Sequence, residues 1–345
     1  MKELIKKLSD MRGISGYEYR INEEIKNMFE PFCDGVKTDA LGNVIAVKKC
    51  GKENAMKLLI EAHCDEIGLM VKDIDESGFL TIVNVGGVDP RILPSMEVTV
   101  HAKRNIKGII GAKPPHIQSA EESRKSFKMT DMAVDTGLDA DEVKNLVSVG
   151  DSITLNQSCG ELMSGQFSGK SLDDRASIAA LLKVMENLGK IRLDADVYAV
   201  ASVQEEVGGY GAMTAAFGIE PDLAIAIDVC HGITPDNSYC AYDVGCGAVV
   251  TCGPNIHPKI FKRLMDTAQK YNIKTEIDVD GGDTGTDAWV MQVVREGIPT
   301  GLLSIPLKYM HTAVETIAIS DVEAVSALLT FFIQDIDGEE EWLCL

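Results

Sequence analysis

The chain has 345 residues, 45% hydrophobic and 25% charged, with 53 acidic side chains against 33 basic ones and a formal net charge of −20. That length suffices for one large core or two modest ones, and the composition is ordinary for a globular enzyme. The charge speaks against a nucleic-acid partner, because phosphate binding is carried by Lys and Arg, and it can concentrate cations in an acidic cleft.

No segment approaches the roughly 20 apolar residues of a membrane span, and Met1–Met11 is charged and amphipathic rather than signal-like, so no membrane partner is expected. Nine cysteines, an odd count without a CxxC pair, fit a reducing cytoplasm. Cys240, Cys246 and Cys252 recur at a fixed spacing, and we read them as buried reduced thiols in strands rather than as a metal site.

Helical periodicity opens the chain at Lys2–Met11 and Tyr17–Phe29, with Gly13 and Gly16 between them. Strand-like runs follow at Asn43–Lys48 and Lys57–Ala62, the second ending in His63. From about Met70 to Glu161 the style changes to short strands at Phe79–Val85, Glu97–His101, Gly108–Gly111 and Ser152–Asn156. They are broken by Gly86-Gly87, Asp89-Pro90, Pro94 and Pro114-Pro115. This reads as a small β-rich module, with Gln118–Asp131 a loop or short helix on its surface.

Alternation of helix and strand then resumes: helix Asp174–Leu188, strand Val197–Val203, helix Tyr210–Phe217, strand Leu223–Val229. Helices at Pro258–Tyr271 and near Thr286–Arg295, a strand at Thr300–Ile305 and a last helix at Val322–Ile333 complete the chain. The pattern predicts an α/β fold with a mixed central sheet and helices on both faces, carrying the β-rich module as an insertion. The division is residues 1–69 and 162–345 for the α/β domain and 70–161 for the insertion.

Open α/β sheets place ligands beyond the carboxyl ends of their strands. His63, the Glu205-Glu206 pair, Asp228 and His311 all fall at or just past such ends, and Asp173 stands immediately before a helix. Two imidazoles and three carboxylates suit a pair of borderline divalent ions such as zinc, cobalt or manganese. Glu205, beside a candidate ligand, is placed to take a proton from a water during attack. Asp65, two residues after His63, can accept the second imidazole N–H. Each item has a plainer reading: a satisfied turn histidine, a helix cap with a surface ion pair, a solvated glutamate pair. It is their joint placement after nearly uncharged runs that favours a dinuclear site.

Ser164–Ser171 falls one glycine short of a phosphate-binding loop and lacks its structural context. Gly281–Ala288 reads as a tight turn into a helix, close to substrate. Cys64, flanked by candidate site residues, is not expected to act as a nucleophile.

With those residues assembled, the chain resembles the M42 family of metallopeptidases, the glutamyl and deblocking aminopeptidases. The resemblance rests on Ala62–Gly68, Leu172–Arg175, Gln204–Gly208, Ile227–Val229, Gly285–Ala288 and Ile305–His311, in that order along the whole chain. It implies a zinc-peptidase-like fold and removal of N-terminal residues from short peptides. It also implies two divalent ions per subunit, bridged by Asp173, with His63 and Asp228 on one and Glu206 and His311 on the other. Glu205 would be the general base and Asp65 would orient His63. The Asp173–Asp174 peptide bond is expected to be cis.

Members form dimers that assemble into dodecamers, and the resemblance gives the insertion, a small barrel-like domain, the roles of dimerisation and lid. Some sequences of this type are labelled endoglucanases, but glycoside hydrolysis generally needs two carboxylates flanking the bond and no metal pair. A deacylase or carboxypeptidase on the same scaffold is the nearest alternative, and a non-catalytic assembly protein the more distant one. His231 is equally compatible with the first side-chain pocket and with an ordinary turn.

Overall fold

The computed structural model describes residues 1–121, 124–125, 128–338 and 343. Helices α1 (Lys2–Asp10) and α2 (Asn22–Phe29) lead into strands β1 (Gly35–Thr38), β2 (Val44–Lys48) and β3 (Lys57–His63). Six barrel strands follow: β4 (Gly68–Ile74), β5 (Leu80–Val85), β6 (Glu97–His101), β7 (Asn105–Ala112), β8 (Met132–Asp135) and β9 (Ser152–Leu155), with α3 (Ala140–Leu146) between the last two. Next come β10 (Gly160–Glu161), β11 (Gln166–Gly169), α4 (Leu172–Leu188), β12 (Asp196–Ser202), α5 (Tyr210–Ile219) and β13 (Leu223–His231). The chain continues through β14 (Ala248–Cys252), α6 (Pro258–Tyr271), β15 (Thr275–Val279), α7 (Asp287–Met291), β16 (Thr300–Leu307), β17 (Glu315–Ala318) and α8 (Ile319–Gln334).

The main sheet has eight strands in the order β1-β2-β12-β3-β13-β16-β14-β15. Its centre is parallel, β12 and β13 flanking β3 and β16 following β13, while β2, β14 and β15 run the other way. Alternation along β3 shows why helices cover both faces. Leu58 and Ile60 join the core formed with Ile5 of α1, Leu181 of α4 and Phe332 of α8. Leu59, pointing the opposite way, joins Ala212 of α5 and Met291 of α7. Burying both faces of such a strand requires the near-continuous apolar run Leu58–Ile60 that the sequence carries.

The closed barrel runs β4-β5-β8-β7-β6-β9 and lies in the chain between β3 and β12. It has its own core, with Val98 and Val100 of β6 and Ile106 and Ile110 of β7 facing inward. A small third sheet, β10-β11-β17, completes the fold.

The expected mixed sheet, helices on both faces and β-rich module are all present. Several details differ. Tyr17–Phe29 is not one helix: a 3-10 turn at Glu18–Arg20 precedes α2, and Glu18 turns its carboxylate to the backbone N–H groups of Gly16 and Gln204. The helix expected near Thr286–Arg295 stops at Met291, ahead of the β-branched pair Val293-Val294 and the left-handed backbone of Arg295. Strands β1, β4, β8, β10, β11, β14, β15 and β17 were not anticipated. Of the three evenly spaced cysteines only Cys252 lies in a strand; Cys246 is buried in a turn and Cys240 is exposed. Gln118–Asp131 lies partly outside the described residues; Met129–Asp131 forms a 3-10 turn. Among the described residues, no helix is long and apolar enough to cross a membrane.

Candidate active site

Parallel strands deliver the candidate residues to one edge of the sheet. His63 is the last residue of β3, Glu205 and Glu206 follow β12, Asp228 lies near the end of β13, and His311 follows β16. The chain changes direction at these points. Gln204, Tyr309 and His311 all take left-handed backbone conformations, with φ near 60°, which is uncommon for non-glycine residues and clusters at functional sites. Asp173 and Asp174 sit in the first turn of α4 with non-helical backbone, and the peptide bond joining them is cis.

Asp173 stands between the two histidines. Its Oδ1 lies 3.2 Å from His63 Nε2 and its Oδ2 3.4 Å from His311 Nε2. Glu206 Oε2 is 3.5 Å from the same His311 nitrogen, and Glu205 Oε2 is 3.8 Å from His63 Nε2. His311 Nδ1 faces the carbonyl of Gly87, in the segment after β5, at 3.1 Å. A Cβ at Gly87 would stand 2.5 Å from that nitrogen, so glycine lets the barrel approach the site this closely.

Asp65 Oδ1 lies 3.4 Å from His63 Nδ1. The same carboxylate accepts from Ser15 Oγ and from the backbone N–H groups of Glu205 and Glu206, at 3.1 and 3.2 Å. It therefore ties the end of β3 to the turn that presents both glutamates.

Three residues that sequence reasoning missed complete the frame. Glu315, buried at the start of β17, accepts the N–H groups of Leu172, Asp173 and His311. Glu18 fixes Gln204 N–H at 2.9 Å. Asp174, noted only as part of a motif, is fully buried and shares a cation-sized cluster with His63 and Asp228, their ligand atoms within 4.8 Å of one another. A second such cluster joins His63, Asp173 and Glu206.

Charge is the chemical signature of this site. Burial first, then Asp228, Asp287 and Glu206, push Glu205 up to about 10, and His63 offsets this only in part. Burial and Asp173 push Asp228 up to about 7, again against His63. Glu206 and Asp174 are also raised well above the ordinary carboxylate range, in both cases chiefly by burial. Burial alone would lower His63, yet Asp173, Asp65 and Glu205 raise it. Asp173 is held well below the usual carboxylate range: burial opposes this, and His311 and His63 override it. So many carboxylates cannot ionise side by side without compensating cations, and among the described residues no Lys or Arg lines the cavity around them. Imidazole and carboxylate donors in that number fit divalent ions of the zinc, cobalt or manganese kind. Burial raises the Cys64 thiol well above its ordinary value, which disfavours the thiolate a nucleophile needs.

The phosphate-loop-like stretch has a different use. Lys170 Nζ donates to Met11 O at 2.7 Å and to Glu66 Oε2 at 2.6 Å, while Ser171 Oγ donates to the same carboxylate.

Fold and site together give an α/β scaffold with a candidate metal centre at the carboxyl edge of its parallel strands. The M42 glutamyl aminopeptidase family matches residues 42–328. A lysyl aminopeptidase of Pyrococcus furiosus is 36% identical over 340 residues, 97% of either chain. An aminopeptidase structure from the archaeon Desulfurococcus kamchatkensis superposes with a TM-score of 0.90 at 34% identity, covering 99% of this chain and 96% of that one. The TET1 peptidase of Pyrococcus horikoshii, which can assemble into a tetrahedron or a large octahedral shell, gives 0.85 at 32% identity, over 97% and 99%. The chain belongs to the M42 family and is an aminopeptidase.

Proposed function

We propose that the protein removes the N-terminal residue of short peptides with two divalent ions, zinc, cobalt or manganese, held by His63, Asp173, Glu206, Asp228 and His311. Asp173 serves both ions, His63 and Asp228 complete one donor set, and Glu206 and His311 the other. The observation that carries this reading is the division of the Asp173 carboxylate, one oxygen toward His63 at 3.2 Å and the other toward His311 at 3.4 Å. When bound, the ions supply Lewis-acid polarisation of the attacking water and of the scissile carbonyl.

Glu205 takes a proton from the water as its oxygen bonds to the carbonyl carbon. It then delivers that proton to the peptide nitrogen as the C–N bond breaks. Asp65 orients His63 through Nδ1 and keeps Glu205 in place through the backbone. Metal analysis of an Asp173→Ala variant tests the assignment: both ions should be lost together, and retention of two tightly held ions would refute a shared carboxylate.

We also propose that residues 1–69 and 162–345 carry catalysis, and that the barrel-containing segment 70–161 mediates dimerisation and controls access as a lid. Gly87 packed against His311 supports a link between barrel and site. The assembly of the Pyrococcus horikoshii relative supports a homo-oligomer, dimers building a dodecamer. Native mass spectrometry reads this directly, and a monomer at micromolar concentration would remove the proposal. The names of the matching family and of the Pyrococcus furiosus relative point to different first residues, glutamyl and lysyl.

A further inference from the structure

The catalytic cluster occupies one end of a cavity of about 760 Å³. Strands β14 and β15 and the turns beside them build the opposite wall. Asp228 sits on β13 and Asp278 on β15, three strand steps across the sheet, about 14 Å at the usual inter-strand spacing. Uncharged residues also line the cavity: Val229 and Cys230 of β13, Leu302 of β16, Met310 in the turn after β16 and Val279 of β15.

Asp278 is held in a fixed position. Its Oδ1 accepts from the Tyr242 hydroxyl at 2.7 Å and its Oδ2 from Thr251 Oγ1 at 3.1 Å. Burial first, and then Asp278, raise the Tyr242 phenol, which keeps it a donor. A carboxylate has about four acceptor positions, so two neutral donors leave capacity for a further ligand. Asp280, also on this wall, accepts Gly282 N–H at 2.8 Å.

Negative charge alone would not make this wall a subsite; its place does. An aminopeptidase must seat the first side chain of its substrate in the space adjoining the reacting bond, and this cavity is continuous with the catalytic residues. A lysine or arginine side chain matches what the space offers, with an apolar stem to lie along Leu302 and a cation to reach Asp278. An acidic side chain at this wall would meet Asp278 and Asp280, with no Lys or Arg among the described lining residues to pair with it, and would be repelled.

We infer that Asp278, with Asp280 beside it, selects peptides whose N-terminal residue is Lys or Arg. This rests on the aminopeptidase reading and narrows it to a substrate class.

The test is steady-state hydrolysis of lysyl, arginyl, leucyl and glutamyl p-nitroanilides by metal-loaded wild-type protein, Asp278→Asn and Asp280→Asn. Wild type should favour Lys and Arg over Leu by about ten-fold or more in kcat/KM, and Glu should be poorest. In Asp278→Asn the Lys:Leu ratio should fall by about the same factor, through KM rather than kcat. A wild-type preference for Leu or Glu overturns the inference, as does a Lys:Leu ratio unchanged in both variants. Failure to hydrolyse any of the four would instead strike the aminopeptidase reading itself, and the inference with it.

Discussion

Glu315 accepts the backbone N–H of Asp173 at 3.1 Å, and the other oxygen of the same carboxylate accepts the N–H of His311 at 3.0 Å. Two candidate ligands that lie far apart in the chain are thus set by one buried side chain. Removing it frees both segments, and outer-shell partners of ligands typically contribute about 10- to 100-fold in metal affinity. Glu315→Ala should weaken zinc binding by that order in a chelator competition. Glu315→Gln should be intermediate, because its amide NH2 would oppose one N–H while its oxygen keeps the other. Unchanged affinity in the alanine variant would show that the frame stands without it.

Gly87 makes a separate prediction about the barrel. A methyl group there would stand 2.5 Å from His311 Nδ1, so the ring must shift. A displacement on the order of 1 Å near reacting groups can cost about 100-fold in rate. Gly87→Ala should lose activity on that scale with little change in Tm, whereas Gly160→Ala, whose Cβ would meet nothing within 4 Å, should be neutral in both.

Glu66 governs stability rather than chemistry. Its carboxylate accepts from Gly13 N–H, Lys170, Ser171 and Arg175, all buried or nearly so. Burial opposes ionisation, but Lys170 and Arg175 hold its pKa at about 2, below the ordinary 4.5. The Lys170 ammonium moves unfavourably in turn, lowered to about 8, chiefly by burial, so the ion pair contributes little net stability at neutral pH.

Breaking it is another matter. Glu66→Gln leaves two buried cations without their counter-charge and should cost about 3–5 kcal/mol at pH 7. Between pH 4.5 and 2 the unfolded chain binds the proton that folded Glu66 refuses, so wild-type stability falls as pH falls through that window. The variant lacks this slope, and the gap between the two should close toward pH 2 in denaturant titrations.

Glu205 carries the proton transfer in the proposed reaction. Glu205→Gln should lower kcat by about 10²- to 10⁴-fold while metal content, measured by elemental analysis, stays at the wild-type level. Near-normal turnover in that variant would require another base.

Much of this site can be read from the chain because its ligands follow long apolar runs. Leu58–Ala62 is a largely apolar strand, broken only by Glu61, and His63 ends it; the largely apolar Thr300–Leu307 leads to His311 across Lys308, Tyr309 and Met310. Glu315 could not be found that way. It is a single glutamate in an unremarkable segment, and its role arises from backbone donors brought to it by folding. Asp278 escaped for a different reason: Thr275–Val279 alternates β-branched with acidic residues over only five positions, with Ile277 and Val279 exposed rather than in a core, and neither β15 nor the wall it builds was expected. Glu18 was taken as part of a helix, where periodicity hid a carboxylate that folds back onto Gln204. Patterning thus reveals which residues end strands, whereas the partners of their backbone groups emerge only in three dimensions.

The central claim is that Asp173 organises two cations for attack on the first peptide bond of a free N-terminus. Titrating metal-stripped protein with zinc or cobalt, and assaying each point on a lysyl p-nitroanilide and its N-acetylated counterpart, tests it most directly. The account predicts binding of two ions per chain, with hydrolysis of the free amine alone appearing as the pair is filled. Saturation at one ion, or equal hydrolysis of the acetylated substrate, would contradict it.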